Sequence, residues 1–145
     1  MFENINVGMT QTFQKEVTRE DSALNYGSGV HKHLLATPSL VAFMIECTTK
    51  MIDPKLPTGY VTVGKNINVE HISPTAKGLT VTVEAVLARI VDNHLYFDIT
   101  VYDQIGKIAL GTHERLIVNY DIFMTKVEDR CKVLTRDNLR VDLNP

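Results

Sequence analysis

The stretch from Leu34 to Pro54, LLATPSLVAFMIECTTKMIDP, constrains this chain more than any other. Every residue from Leu40 to Ile45 is apolar, and Cys47, Met51 and Ile52 extend the pattern. A helix on the outside of a domain shows a polar face at 3.6-residue spacing, and this one shows almost none. The spacing therefore predicts a helix buried nearly all round, so the rest of the chain has to wrap it. Thr37-Pro38 supplies the start: a hydroxyl able to accept from free helix amides, and a proline whose fixed φ suits the first turn. Pro54 supplies the stop. One acid, Glu46, stands in this run, with no charge nearer than Lys50. A buried carboxylate is costly unless paired, hydrogen-bonded or used, so Glu46 is a candidate for chemistry. Its bland reading is an i,i+4 pair with Lys50.

What wraps the helix is read from the remaining periodicities. Gln11–Val17 alternates weakly and predicts an edge-like strand, and Thr18–Gly29 is rich in turn residues and predicts a loop that could cover the helix start as a lid. Tyr60–His71 alternates, with Val61, Val63, Ile67 and Val69 assigned to one face. Gly64 interrupts it, where a missing side chain marks a bulge or a close approach. Leu79–Val91 and His94–Tyr102 are joined by Asp92-Asn93, a hairpin signal, and Lys107–Asn119 is the last strand. Asp121–Leu134 has helix-forming composition, with Ile122, Val127 and Val133 as its apolar contacts. The tail from about residue 135 is polar and expected to be loosely held. The order is strand, long helix, then four consecutive antiparallel strands. This predicts an α+β architecture, a curved antiparallel sheet wrapped around a central helix.

Composition narrows the function classes. The 145 residues suit a single domain, 1–145, long enough to bury a core. A net charge of −2 gives no broad basic field for nucleic acid, and no lysine or arginine run marks a membrane surface. The longest apolar run is far short of a membrane span, and the N-terminus lacks a basic-then-apolar leader pattern, so the expected location is the cytoplasm. Cys47 and Cys131 fit a reducing compartment without a disulfide. His31 and His33 form a His-x-His pair, but no further ligand cluster accompanies them, and no metal is expected.

Three segments carry a resemblance: LATPSLVAFM at the helix start, VGKNINVEHISPTAKGLTVTVEA across two strands, and GTHERLIVN in the last strand. In this order and spacing the chain, from about Gly8 to Val127, resembles the fluoroacetyl-CoA thioesterase-like branch of the hotdog-fold thioesterases. The resemblance implies hydrolysis of a short or small acyl-CoA to free acid and CoA, no cofactor beyond the coenzyme A of the substrate, and a homodimer or higher homo-oligomer with a site shared between subunits. It implies a catalytic threonine at Thr37, a histidine at His71 and a glycine backbone contact at Gly64. The family glutamate aligns with Ile45, and the acid of this chain stands one position later, at Glu46. One residue turns a helix by about 100°. A change of register in the first turn would still bring Glu46 to the cleft of Thr37 and His71.

The chemistry agrees with those residue types. A thioester needs a polarised carbonyl, an attacking oxygen and a group to move the proton. Helix-start amides or Gly64 can hold the oxyanion, a carboxylate such as Glu46 can attack directly or activate water, and His71 can move a proton near neutrality and orient a hydroxyl such as Thr37. Phe43 is core with acyl-pocket lining as its functional reading. Arg115 could meet coenzyme A phosphates or equally be a solvated strand-end charge, and His113 reads as structural or interfacial. The alternative from another class is a non-catalytic acyl-CoA or small-ligand binding dimer. An enoyl-CoA hydratase on the same fold ranks third, because the Asp and His it expects close together are missing.

Overall fold

The computed structural model describes residues 2–136. Five strands form one antiparallel sheet: β1 (Thr10–Glu16), β2 (Tyr60–His71), β3 (Thr80–Val91), β4 (His94–Tyr102) and β5 (Lys107–Asn119), in the spatial order β1-β3-β4-β5-β2. The central three follow from the alternation of the sequence. Val81, Val83, Ala85 and Leu87 of β3 and Leu95, Phe97, Ile99 and Val101 of β4 are all buried on one face. Asp92 takes φ 55 in the two-residue turn between them, the left-handed geometry that such a hairpin demands.

Helix α1 (Thr37–Ile52) lies on that inner face, burying Leu40, Phe43, Met44, Cys47, Met51 and Ile52. Burial of each such side chain contributes about 1.5–3 kcal/mol. The helix is nevertheless not enclosed as its composition suggests. Its far side, Pro38, Ala42, Ile45, Glu46 and Lys50, is exposed, because one sheet covers only one side of a helix. Cys47 donates its thiol to the Gln11 carbonyl at 3.3 Å, and burial pushes its pKa up to about 11. Cys47 and Cys131 are both free thiols.

β2 is the outer strand on one side, and it does not keep one face throughout. Its pairing with β5 shifts between Gly64 and Asn66. Before the bulge Thr62 and Gly64 oppose Ile117 and Arg115; after it Ile67, Val69 and His71 oppose His113, Gly111 and Ala109. Val61 and Val63 therefore do not share the inner face with Ile67 and Val69, which corrects the simple alternation. Gly64 and His71 are seven positions apart, an odd number that would put them on opposite faces of a regular strand. The bulge brings both to the helix side. Opposite β2, Gly111 is fixed by packing: a Cβ there would overlap the Asn68 carbonyl oxygen and meet Met44 Cε at 3.0 Å.

The segment before α1 is organised by Asp21. Its carboxylate pairs with Lys15 and accepts from the Thr18 N–H at 2.9 Å and the Thr18 hydroxyl at 3.0 Å. Burial works to raise the Asp21 pKa, and these partners outweigh it and hold the group below its usual range. Single 3-10 turns at Arg19–Asp21 and Ala23–Asn25 follow, and bridges Ser22–Leu35 and Leu34–Ala76 tie the segment to the start of the helix. The C-terminal helix α2 (Tyr120–Arg136) turns Phe123, Met124 and Val127 partly inward, while Ile122 and Val133, expected as contacts, are exposed. The polar tail lies at and beyond the end of the described residues. Among those residues no helix is long and apolar enough to cross a membrane.

Candidate active site

The N-terminus of α1 does not use Thr37 as its cap. Ala36 occupies that position with no side-chain bond to the helix, and Pro38 follows Thr37 in the first turn. The Thr37 hydroxyl is thus free for another partner, and that partner is His71. Thr37 Oγ1 lies 2.9 Å from His71 Nδ1, across 34 residues of chain. The contact exists because β2 ends where the helix begins: Leu35 N–H donates to Thr75 O at 2.8 Å, holding the turn after β2 against the helix start.

The His71 ring is half-buried, and its Nε2 is shut from solvent with no hydrogen-bond partner. Burial lowers the His71 pKa below the ordinary 6.5, opposed by a backbone contact with Ser73. The ring is consequently neutral at pH 7 and able to accept the Thr37 proton. In the first turn of α1 Pro38 has no N–H and the Leu40 N–H donates to Ala36 O at 3.0 Å, which leaves the Thr37 and Ser39 amides without an acceptor inside the helix. Thr37 and His71 face a cavity of about 380 Å³ that Ala23, His31, Leu34, Ile72 and Pro74 also line. The residues lining it include no carboxylate.

The other residues singled out from the sequence lie elsewhere. Glu46 is on the exposed side of α1, with its carboxylate 3.4 Å from Lys50 Nζ and about half its side-chain surface in solvent. Among the described residues its ion-pair partner is that lysine, the i,i+4 pairing considered from the sequence. Phe43 is buried beneath β1, its ring 6.2 Å from that of Phe13, and does not line the cavity. Arg115 is no solvated strand-end cation. It is buried, with Nε donating to Thr62 Oγ1 at 2.9 Å and Nη2 to Thr62 O at 3.0 Å. Thr62 in turn donates its hydroxyl to Asp53 at 2.5 Å. Burial lowers the Arg115 pKa, and Asp53 opposes the shift. His113, at 3.3 Å from Arg115, is held by Asn66 O at 2.8 Å; burial lowers its pKa. Gly64 sits beside these two side chains, so an added Cβ would meet both at 3.6 Å. Along β2 it is roughly 23 Å from His71, too far to serve the same protomer's Thr37–His71 pair.

Sequence reasoning missed Ala23, Leu34, Ile72 and Pro74 as cavity walls. All lie in loops or at strand ends, where no periodicity reports a facing direction. Two larger hollows, about 550 and 520 Å³, lie on the outer face of the sheet around Asn68, Asp98 and Thr112. They lie away from the Thr37–His71 pair, and chemistry rather than size selects the site. No group of three His, Cys, Asp or Glu side chains suited to a metal is present among the described residues.

A curled antiparallel sheet on one long helix defines the α+β hotdog fold, and solved structures agree. A hot-dog-like protein from Thermanaerovibrio acidaminovorans superimposes with TM-score 0.83 at 26% identity, over 88% of this chain and 94% of that one. The fluoroacetyl-CoA thioesterase FlK superimposes with TM-score 0.79 at 27% identity, over 86% and 96%. In sequence, the fluoroacetyl-CoA thioesterase of Streptantibioticus cattleyicolor is 32% identical over 97 residues, 67% of this chain and 70% of that protein. The profile of the family described as Fluoroacetyl-CoA-specific thioesterase matches residues 17–121. The chain belongs to that family, and it is a thioester hydrolase.

Proposed function

We propose that the protein hydrolyses a small acyl-CoA at the Thr37–His71 pair, in the cytoplasm and as a homodimer. The observation that carries this reading is the 2.9 Å contact between the Thr37 hydroxyl and a neutral, half-buried imidazole at the edge of a cavity. As Thr37 Oγ1 attacks the carbonyl carbon, its proton passes to His71 Nδ1. The carbon–sulfur bond breaks, and the departing thiolate takes that proton and leaves as CoA. Water then attacks the acyl-threonine, giving a proton to His71 that returns to Thr37 as the acid leaves. In this reading the Thr37 and Ser39 amides at the start of α1 stabilise the oxyanion in both steps.

The dimer follows from the unused edge of β2. This strand is 12 residues long and borders only β5, and long open edges recruit partners. Antiparallel pairing of two β2 strands about an axis between Ile67 and Asn68 would bring Gly64 of one copy alongside the partner's His71. It would also bring a second copy toward the exposed apolar side of α1 around Ala42 and Ile45. Gly64 would then make its backbone contact across the interface, as the family resemblance implies.

Free-thiol release from acetyl-CoA and longer acyl-CoAs by purified protein tests the reading, with His71→Ala as the control. Turnover that survives in His71→Ala, or a compact monomer in sedimentation velocity at micromolar concentration, would sink the pair or the shared site respectively.

A further inference from the structure

Coenzyme A carries a diphosphate and a phosphomonoester, and the Thr37–His71 cavity has no lysine or arginine in its wall. Arg115, the cation proposed for that role from the sequence, is buried against Thr62. Immediately across the same loop lies a hollow of about 260 Å³ lined by Arg19, Leu24, Lys32, His33 and Lys77. Its wall contains three full positive charges and a histidine, and no acid.

Three separate segments have been brought together to make it. The turn carrying Arg19 is held by the Ser22 hydroxyl, which donates to Arg19 O at 2.7 Å. The segment carrying Lys32 and His33 is held to the one carrying Lys77 by the Lys77 N–H donating to His33 O at 2.8 Å. None of the three cations forms an ion pair with a carboxylate among the described residues. Glu20, next to Arg19, is held low chiefly by a backbone N–H and the Thr18 hydroxyl, with Arg19 contributing least. Like charges gathered without counter-charges repel one another, and an anion relieves that repulsion. The hollow adjoins the reaction cavity through consecutive residues: His31 and Leu34 line one, Lys32 and His33 the other.

We propose that the Arg19–Lys32–His33–Lys77 hollow binds phosphate groups of the coenzyme A moiety, anchoring the substrate while its thioester lies at Thr37. This assignment rests on the acyl-CoA reading above, and it adds a site that the reaction itself does not require.

The test compares acetyl-CoA with the acetyl thioester of N-acetylcysteamine, which lacks the phosphates. Variants are Lys32→Ala with Lys77→Ala, and Arg19→Ala, each checked for an unchanged melting temperature. KM for acetyl-CoA should rise by about fivefold per cation removed, with kcat held. Both constants for the truncated thioester should stay at parent values, and the salt dependence of KM should weaken. Equal effects on the two substrates, or none on either, would overturn the proposal. Calorimetry with CoA and with inorganic phosphate separates this outcome from failure of the thioesterase reading. If the parent protein cleaves no thioester yet binds CoA, and the variants lose that binding, the phosphate site stands alone. CoA binding no tighter than inorganic phosphate, or undiminished in the variants, would refute it.

Discussion

Replacing Thr37 by valine removes one hydroxyl and keeps the branched shape. In the structure that hydroxyl is hydrogen-bonded, among the described residues, to His71 at 2.9 Å, and it does not cap α1, since Ala36 holds the N-cap position. Loss of one such hydrogen bond costs about 0.5–1.5 kcal/mol of stability. For a chain of this size that is a fall in Tm of only a few degrees, about 2–5 °C. If the same hydroxyl is the attacking oxygen, activity should fall far more. A positioned proton-transfer pair typically contributes about 10²–10⁴-fold, and losing the nucleophile with it makes the upper part of that range the expectation. Thr37→Ser keeps an oxygen within reach of His71 and should retain most of the activity. The assay is thiol release from acetyl-CoA under saturating and limiting substrate, alongside thermal denaturation of each variant. Thr37→Val with kcat within tenfold of the parent would refute the role given to Thr37. So would a Thr37→Ser variant as inactive as Thr37→Val, because the shape rather than the hydroxyl would then be at issue.

Four further outcomes follow from the geometry. Because burial depresses the His71 pKa, kcat/KM should level off toward alkaline pH and decline in acid, with a midpoint below 6.5. A midpoint above 6.5 would mean that a nearby carboxylate governs the ring. Stability should change with the same sign. His71 and His113 are both depressed in the folded chain, so their contribution is present above the unfolded value and lost as pH falls through the folded pKa values; chemical denaturation from pH 8 to 5 measures it. Gly111→Ala forces a Cβ onto the Asn68 carbonyl oxygen and should destabilise by about 1–3 kcal/mol, whereas Gly106→Ala, with open space around it, should leave Tm within a degree or two of the parent; equal shifts would contradict the packing. Glu46→Gln should keep near-parent thioesterase activity and lose no more than about 0.5 kcal/mol, the value of an exposed i,i+4 pair. A large loss of activity would return the carboxylate to the site.

Much of the fold was legible because alternation and helical spacing are local properties. The strands β3, β4 and β5 fall close to where their periodicity puts them, and α1 ends near Pro54 as the sequence implies. The failures share a cause: they depend on what lies opposite. Ala42 and Ile45 read as buried because they are apolar, yet a sequence does not say whether an apolar face meets its own sheet or a second copy. Arg115 reads as a surface cation until Thr62 is brought beside it by pairing with β2. The inner face of β2 changes parity at a single bulge, and Gly64 hints at that bulge without fixing which residues change sides. Thr37 and His71 were found through their family context, since a Thr-Pro helix start and a strand-end histidine are common features on their own.

The absence of a carboxylate from the wall of the Thr37–His71 cavity is compatible with thioester hydrolysis on energetic grounds. An acid beside His71 would raise its pKa and make it a stronger base, but would leave a larger fraction of it protonated at neutrality. Burial without an acid has the opposite effect: the ring is a weaker base and more of it is unprotonated. The useful quantity is the product of basicity and the unprotonated fraction, which varies slowly near the operating pH. The leaving thiolate of a thioester is a far better leaving group than an amine, so a strong acid is not needed to expel it. What an acid would also provide is orientation of the ring, and here the 2.9 Å bond to Thr37 and the packing around a shut-off Nε2 supply it. A surface Glu46 paired with Lys50 is then no defect in the site. The proposed chemistry needs only an imidazole that favours its neutral form held against a hydroxyl, with a helix terminus to receive the oxyanion.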